Sequence, residues 1–242
     1  MELVIVEDYD ELSLKAAGIV AGLINENRRP VLGLATGSTP EGMYTRLVKM
    51  YQEKMVDFSS VITFNLDEYF SLPPDHPQSY HYYMYRHLFN HINIRDYNIH
   101  IPRSNIQDIS SFCNDYDQAI IEAGGIDLQI LGIGGNGHIG FNEPGKVLNV
   151  KTHLVDLTEE TIKANSRFFR SADEVPRQAI TMGMGSILHA RKILLLAAGN
   201  SKAMAIKEAV SGIITTGLPA SLLQLHSNVI MLIDREAAAL IK

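Results

Sequence analysis

The sequence predicts an α/β fold: one domain over residues 1–242, with a doubly wound, mostly parallel, Rossmann-like sheet flanked by helices. Three observations predict it. Short apolar runs recur at 3–6, 31–35, 61–65, 127–131, 193–198 and 229–233. Most are solidly apolar rather than alternating, as strands buried on both faces of a parallel sheet are. Each run passes through a Gly- or Asp-bearing loop into a helix-like stretch, the repeating unit of an α/β sheet. No internal repeat, low-complexity tract or Pro-, Gly- or Ser-rich linker divides the chain.

Bulk properties narrow the function classes. A chain of 242 residues with 46% hydrophobic and 20% charged residues is globular in composition. Its net charge of -6 disfavours nucleic acid and anionic membrane as partners, while leaving room for a local basic site for a small anion. The single cysteine, Cys113, can form no internal disulfide, which fits a reducing cytosol. The opening MELVIVEDYDEL carries acids where a signal peptide needs bases, and no apolar run reaches the roughly 18 residues of a membrane span. A soluble, cytoplasmic protein is expected.

Taken in order, the 3–6 strand precedes a helix over 9–26. The 31–35 strand runs into Thr36-Gly37-Ser38-Thr39-Pro40. Thr39 reads as an N-cap and Pro40 as the first residue of a helix over 40–54. Free N–H groups and the hydroxyls of Thr36, Ser38 and Thr39 converge there, and Gly37 permits close approach. The loop is either a phosphate site or a plain capped turn, since it lacks the GK[ST] of a P-loop. The 61–65 strand leads into Asp67-Glu68. Successive residues of an extended chain face opposite sides, so one of the two carboxylates faces a ligand beyond the strand, where it can act as a general base; the alternative is a loop acid that caps or is solvated. The polar, Pro-rich loop at 73–80 and a helix over 79–91 make a lid around 70–91. His87 and His91 share a face at i,i+4 but lack an HExxH or Cys partner, so aromatic packing is expected there and no metal.

After a helix over 107–123, the 127–131 strand enters LGIGGNGHIGFNEPG. Gly132, Gly134 and Gly137 match the GxGxxG spacing of a dinucleotide-binding turn. That turn should open a helix, which Gly140, Pro144 and Gly145 oppose. What remains is a glycine-rich loop holding His138 and Glu143 at the end of a central strand, a pair suited to proton transfer. Its plainer alternative is a histidine packed for structure. Arg167, in a helix over 159–168, is a further candidate to reach a phosphate. The 193–198 strand leads to Gly199-Asn200-Ser201-Lys202, with Lys202 in the first turn of a helix over 201–211. The dipole there disfavours a cation by about 0.3–1 kcal/mol, so Lys202 either meets a bound anion or extends into solvent. The 229–233 strand is followed by a helix over 235–241. Ligands of such sheets sit beyond the carboxyl ends of the strands, which points to the loops beginning at 36, 66, 132 and 199.

These stretches together resemble the glucosamine-6-phosphate deaminase family over nearly the whole chain. The resemblance rests on LGLATGSTPEG (32–42), TFNLDEY (63–69), HPQSYHYYM (76–84), GIGGNGHIGFNEP (132–144), NSRFF (165–169), AITMG (179–183), GNSKA (199–203) and LQLH (223–226). It implies a hydrolase of amino-sugar catabolism that turns D-glucosamine 6-phosphate and water into D-fructose 6-phosphate and ammonia, with no cofactor. By the same resemblance Asp67 is the base that moves the C2 proton toward C1 through an enolamine. His138 opens the pyranose ring, with Glu143 as its carboxylate partner. Thr36, Gly37, Ser38, Thr39, Arg167 and Lys202 hold the phosphate, and closure of the 70–80 region keeps water from the enolamine. Asn136 stands where several members carry Asp; it orients the imidazole without adding charge. Longer, hexameric, allosterically activated members extend past this C-terminus, and the basic pair they use is replaced here by His153 and Val155. A monomer without such activation is expected, its partner a small phosphosugar. The alternatives are a galactosamine-6-phosphate deaminase, a 6-phosphogluconolactonase and a non-catalytic sugar-phosphate sensor. FNEP and DEY favour the deaminase over the lactonase, and the acidic balance speaks against a DNA-binding sensor.

Overall fold

The apolar runs become strands because their side chains have no polar face to show to water. In the computed structural model, which describes residues 1–241, they form six of the seven strands of one parallel sheet. The chain runs β1 (Glu2–Val6), α1 (Tyr9–Glu26), β2 (Val31–Leu34), α2 (Ser38–Gln52), β3 (Ile62–Asn65), β4 (Asp67–Tyr69), α3 (Tyr80–His87), β5 (Ile99–His100), α4 (Ile109–Glu122) and β6 (Leu128–Leu131). It continues with β7 (His153–Asp156), α5 (Glu159–Asn165), β8 (Gln178–Thr181), α6 (Met184–Leu188), β9 (Ile193–Ala197), α7 (Ala203–Ala209) and β10 (Val229–Asp234). Seven strands pair in the order β1-β10-β9-β6-β2-β3-β5. Every residue of β2, β3, β6 and β9 is buried. Each fully buried Leu or Ile there contributes about 1.5–3 kcal/mol of hydrophobic stabilisation. Burial falls away toward the edges: β1 pairs with β10 alone and its Leu3 and Ile5 are exposed, and both residues of β5 at the other edge are half-buried.

Chain order places the site. From β2 the chain moves to β3 and β5 on one side, then crosses to β6, β9 and β10 on the other. The direction reverses between β2 and β6, and the loops leaving those two carboxyl ends diverge to open a crevice. A second sheet, β4-β8-β7, is antiparallel and lies beyond the end of β3. Beside it sits a small apolar cluster that includes Tyr69, Phe141 and Ile162. Among the described residues no helix is long and apolar enough to cross a membrane.

Several expectations need correction. The helix expected from Thr39-Pro40 starts at Ser38, and Gly37, at φ 105°, is its cap. Only glycine takes that conformation without strain, so the chain turns there rather than at Thr39. Pro40 becomes the third helical residue, where its missing N–H costs no intrahelical bond. The 79–91 helix breaks at Leu88 into α3 and a 3-10 turn, Phe89–His91. The 159–168 helix likewise becomes α5 plus a 3-10 turn, Ser166–Phe168. Lys202 lies in a 3-10 turn, Asn200–Lys202, just before α7 rather than within the helix. Residues 235–240 form turns instead of the expected helix, with Ala237 buried against the core. Strands β4, β5, β7 and β8 and helix α6 lie outside the expected elements; the strands DEY, IH, HLVD and QAIT mix polar with apolar residues and make no solid apolar run.

Candidate active site

A cavity of about 460 Å³ opens at the reversal point between β2 and β6. All four loops singled out by the carboxyl-end rule reach it. Thr36, Gly37, Ser38 and Thr39 line it from the end of β2, Asp67 from the end of β3, His138 from the loop after β6, and Lys202 from the turn after β9. Arg167 joins them from the 3-10 turn that follows α5.

The basic end of the cavity is built from two cations and one helix start. Both cations line this end of the cavity, where burial, and then the charge of Arg167, push the Lys202 ammonium below its ordinary value. Among the described residues neither enters an ion pair with a carboxylate. The first N–H groups of α2 add further donors at the same wall. Like charges held together beside unpaired N–H groups suit a dianion such as a phosphate monoester. The Lys202 turn is itself fixed from below. The buried carboxylate of Asp234, at the end of β10, accepts from Gly199 N at 3.0 and 3.1 Å and from Ala237 N at 2.8 Å. Tyr83 on α3 donates to Gly37 O at 2.7 Å and so ties α3 to the phosphate loop.

Asp67 and Glu68 face opposite ways, as the extended chain requires. Glu68 turns from the cavity and accepts N–H bonds from Tyr69 at 2.8 Å, Tyr80 at 2.9 Å and His81 at 2.8 Å. These bonds anchor the start of α3, next to the cap by which Ser79 accepts from Tyr82 N, and they offset part of the burial that pushes the Glu68 carboxyl up to about 7. Asp67 is 6% exposed, lines the cavity, and among the described residues receives no hydrogen bond. Burial, reinforced by the neighbouring Glu68 charge, pushes its carboxyl up to about 8. An undonated carboxylate of high basicity is what proton abstraction from carbon needs.

The glycine-rich loop is shaped around an imidazole. Gly134 N donates to His138 O at 3.0 Å, and Gly137 N to Gly134 O at 3.0 Å, so the loop closes on itself instead of opening a helix. A Cβ on Gly134 would lie 2.3–2.5 Å from three atoms of the His138 ring. Behind the ring stands Glu143, with Oε2 3.4 Å from His138 Nδ1. Asn136 Nδ2 donates to that oxygen at 3.0 Å, and Asn136 Oδ1 accepts from His138 N at 3.2 Å. Burial pushes the Glu143 carboxyl up, but His138, Thr161 and Asn136 together outweigh it and hold the group below its ordinary value. It is therefore an anion at neutral pH, placed to stabilise an imidazolium.

The small sheet brings these two halves together. Asp67 in β4 is in register with Thr181 in β8, and Thr181 Oγ1 accepts from Phe141 N of the histidine loop at 3.1 Å. Asn142 Nδ2 pins the loop further, donating to Ile139 O and Met182 O. At Gly140, φ 59°, the backbone passes so near the base that a Cβ would stand 3.3 Å from Asp67 Oδ2. His87 and His91, the pair weighed as metal ligands, do different things: His87 packs on Tyr83 at 4.4 Å, and His91 Nε2 meets Arg86 O at 2.9 Å. Sequence reading missed Thr161 and Asp234, both buried polar residues acting through other site residues. Nothing in their neighbours marks them, because both face inward only through the tertiary fold.

Fold and site thus define an α/β protein whose cavity at the sheet's reversal point is lined by a buried carboxyl, a histidine backed by a carboxylate, and two cations. The chain belongs to the family described as glucosamine-6-phosphate isomerases/6-phosphogluconolactonase, which it matches over residues 8–232. It is 60% identical over 241 residues to a glucosamine-6-phosphate deaminase of Halothermothrix orenii, covering 100% of both chains. It is 59% identical over 241 residues to one from Thermoanaerobacter pseudethanolicus, covering 100% of this chain and 95% of that one. A solved structure described as a monomeric glucosamine-6-phosphate deaminase superposes with a TM-score of 0.97 at 48% identity, covering 99% of this chain and 100% of that one. The 6-phosphogluconolactonase of Trypanosoma cruzi, at 18% identity and a TM-score of 0.78 over 100% of this chain and 97% of that one, shares the fold.

Proposed function

We propose that this chain converts D-glucosamine 6-phosphate and water to D-fructose 6-phosphate and ammonia. The observation that carries the reading is the undonated, strongly basic Asp67 facing the same cavity as the His138–Glu143 pair, with Arg167 and Lys202 alongside. The phosphate binds to Arg167, Lys202 and the Thr36–Thr39 loop, and this remote binding energy holds C1 and C2 in place. His138 moves a proton from the C1 hydroxyl to the ring oxygen and so opens the pyranose, while Glu143 stabilises the charge that passes through the imidazole. Asp67 then takes the C2 proton while a proton of the substrate's C2 ammonium passes to O1, which gives the enolamine, and Asp67 returns its proton to C1. The resulting C2 iminium is hydrolysed by water to the ketone and ammonia. The 70–91 segment, whose Pro77, Gln78 and Tyr80 line the cavity, acts as the lid that shields the enolamine from water. The protein works as a monomer, a reading supported by the description of its 48%-identical structural neighbour, and in the cytoplasm, a reading that rests on its single cysteine and lack of a signal sequence.

The test is ammonia release and fructose 6-phosphate formation from glucosamine 6-phosphate, with galactosamine 6-phosphate alongside. Equimolar products from the first sugar alone are expected; turnover of only the second would reassign the epimer, and silence on both would remove the reading. The phosphate grip has its own test. Lys202→Ala should raise KM about 10- to 100-fold with a much smaller change in kcat, since a clamp on a non-reacting group supplies mostly uniform binding. An unchanged KM would take Lys202 out of the site.

A further inference from the structure

Glu143 is held by two donors from different parts of the chain. Asn136, on its own loop, donates to Oε2, the oxygen that faces His138. The other oxygen, Oε1, accepts the hydroxyl of Thr161, which comes from α5. Thr161 is 3% exposed, its N–H is bonded to the cap residue Thr158 at 3.2 Å, and its side chain lines the cavity. Six residues further along the same α5–3-10 segment, Arg167 reaches the anion end of that cavity. The segment therefore touches both ends of the site: a cation for the phosphate and a hydroxyl for the carboxylate behind the imidazole.

The pair it adjoins is unfinished. His138 Nδ1 is buried and has no hydrogen-bond partner, because Glu143 stops at 3.4 Å without the alignment of a bond. A reorientation of the carboxylate toward the ring nitrogen would complete it. Asn136 belongs to the histidine loop itself, so it cannot move Glu143 relative to His138 by moving as a whole. Thr161 can, because it rides on a different element.

We propose that Thr161 is a positioning residue that couples phosphate binding to ring opening: phosphate held by Arg167 settles the α5 segment, and the Thr161 hydroxyl then sets Glu143 against His138. The inference rests on the deaminase reading above and adds a connection between its two ends. It makes the phosphate an activator of the chemistry at C1 as well as a handle for binding.

Two variants and one added anion test it. Thr161→Val keeps the shape and removes the hydroxyl; it should lower kcat for glucosamine 6-phosphate about 10- to 100-fold, the effect of removing a hydrogen bond to a buried charge, with KM within about threefold. Thr161→Ser keeps the hydroxyl and should return kcat to within about threefold of wild type. The coupling is read with unphosphorylated glucosamine: added inorganic phosphate should accelerate its turnover by the wild type and by Thr161→Ser, but not by Thr161→Val. Equal activation of all three, no activation of the wild type, or a Ser variant as impaired as the Val variant would each overturn the proposal. A wild type silent toward glucosamine 6-phosphate would instead overturn the deaminase reading, so the two failures are told apart.

Discussion

Asp67→Asn is expected to lower kcat about 10²- to 10⁴-fold, as loss of a general base does, and at the same time to raise the melting temperature. Both effects come from one feature, a carboxyl buried without a donor. In the unfolded chain it loses its proton near the ordinary 3.8, whereas burial and Glu68 push it up to about 8 in the fold. The sign follows: ionising Asp67 costs the folded state nothing below the unfolded value, increasingly more as pH rises between the two values, and a constant amount above about 8. Asparagine removes that cost, on the order of a few kcal/mol, each worth about 2–4 °C in a protein of this size. Variant and wild type should therefore melt together near pH 4 and diverge toward pH 9. The same protonation should make wild-type kcat/KM fall about tenfold per pH unit once the pH drops below about 8. A variant that melts like the wild type at every pH, or turns over at a rate near it, would remove Asp67 from this role.

Gly134→Ala is expected to lower kcat/KM by about 10²-fold without moving the phosphate grip. Its Cβ would stand 2.3 Å from His138 Cε1, 2.4 Å from Nδ1 and 2.5 Å from Nε2, all far inside contact distance, so the ring must shift by about an ångström. A displacement of that size at a group that must reach a reacting atom is enough for a loss of two orders of magnitude. Because the anion end is built on the loops after β2 and β9 and on the Arg167 turn, KM should change by less than about threefold. The readout is the kcat against KM split for glucosamine 6-phosphate, with thermal unfolding measured beside it to record the strain of overpacking. Turnover within about threefold of wild type would mean that the imidazole is not held where the chemistry occurs.

The glycine-rich loop shows how far residue patterns reach. GxGxxG spacing alone suits a dinucleotide turn, and only the breakers after Gly137 argued against one. The structure supplies the reason for the glycines: Gly134 makes room for His138, and Gly140, at φ 59°, makes room for Thr181 Oγ1 and Asp67. A sequence shows that small residues recur but not what presses against them. Glu68 is a similar case. The alternation of the chain says that it must point away from Asp67, but not that it would collect three N–H groups and anchor α3.

The sequence by itself determined the interior strands, the parallel sheet, the four loops at its carboxyl edge and the residues with reactive groups, because each rests on local order: apolar runs, breakers, and side chains one loop long. Tertiary structure alone decided which of those groups meet. The short antiparallel sheet that sets Asp67 beside the histidine loop pairs β4 with β8 across more than a hundred residues of chain. Its strands of three and four residues carry too little pattern to be seen without their partners. Thr161 and Asp234 became legible the same way, since a buried polar side chain takes its meaning from the atom it bonds, and that atom lies elsewhere in the chain.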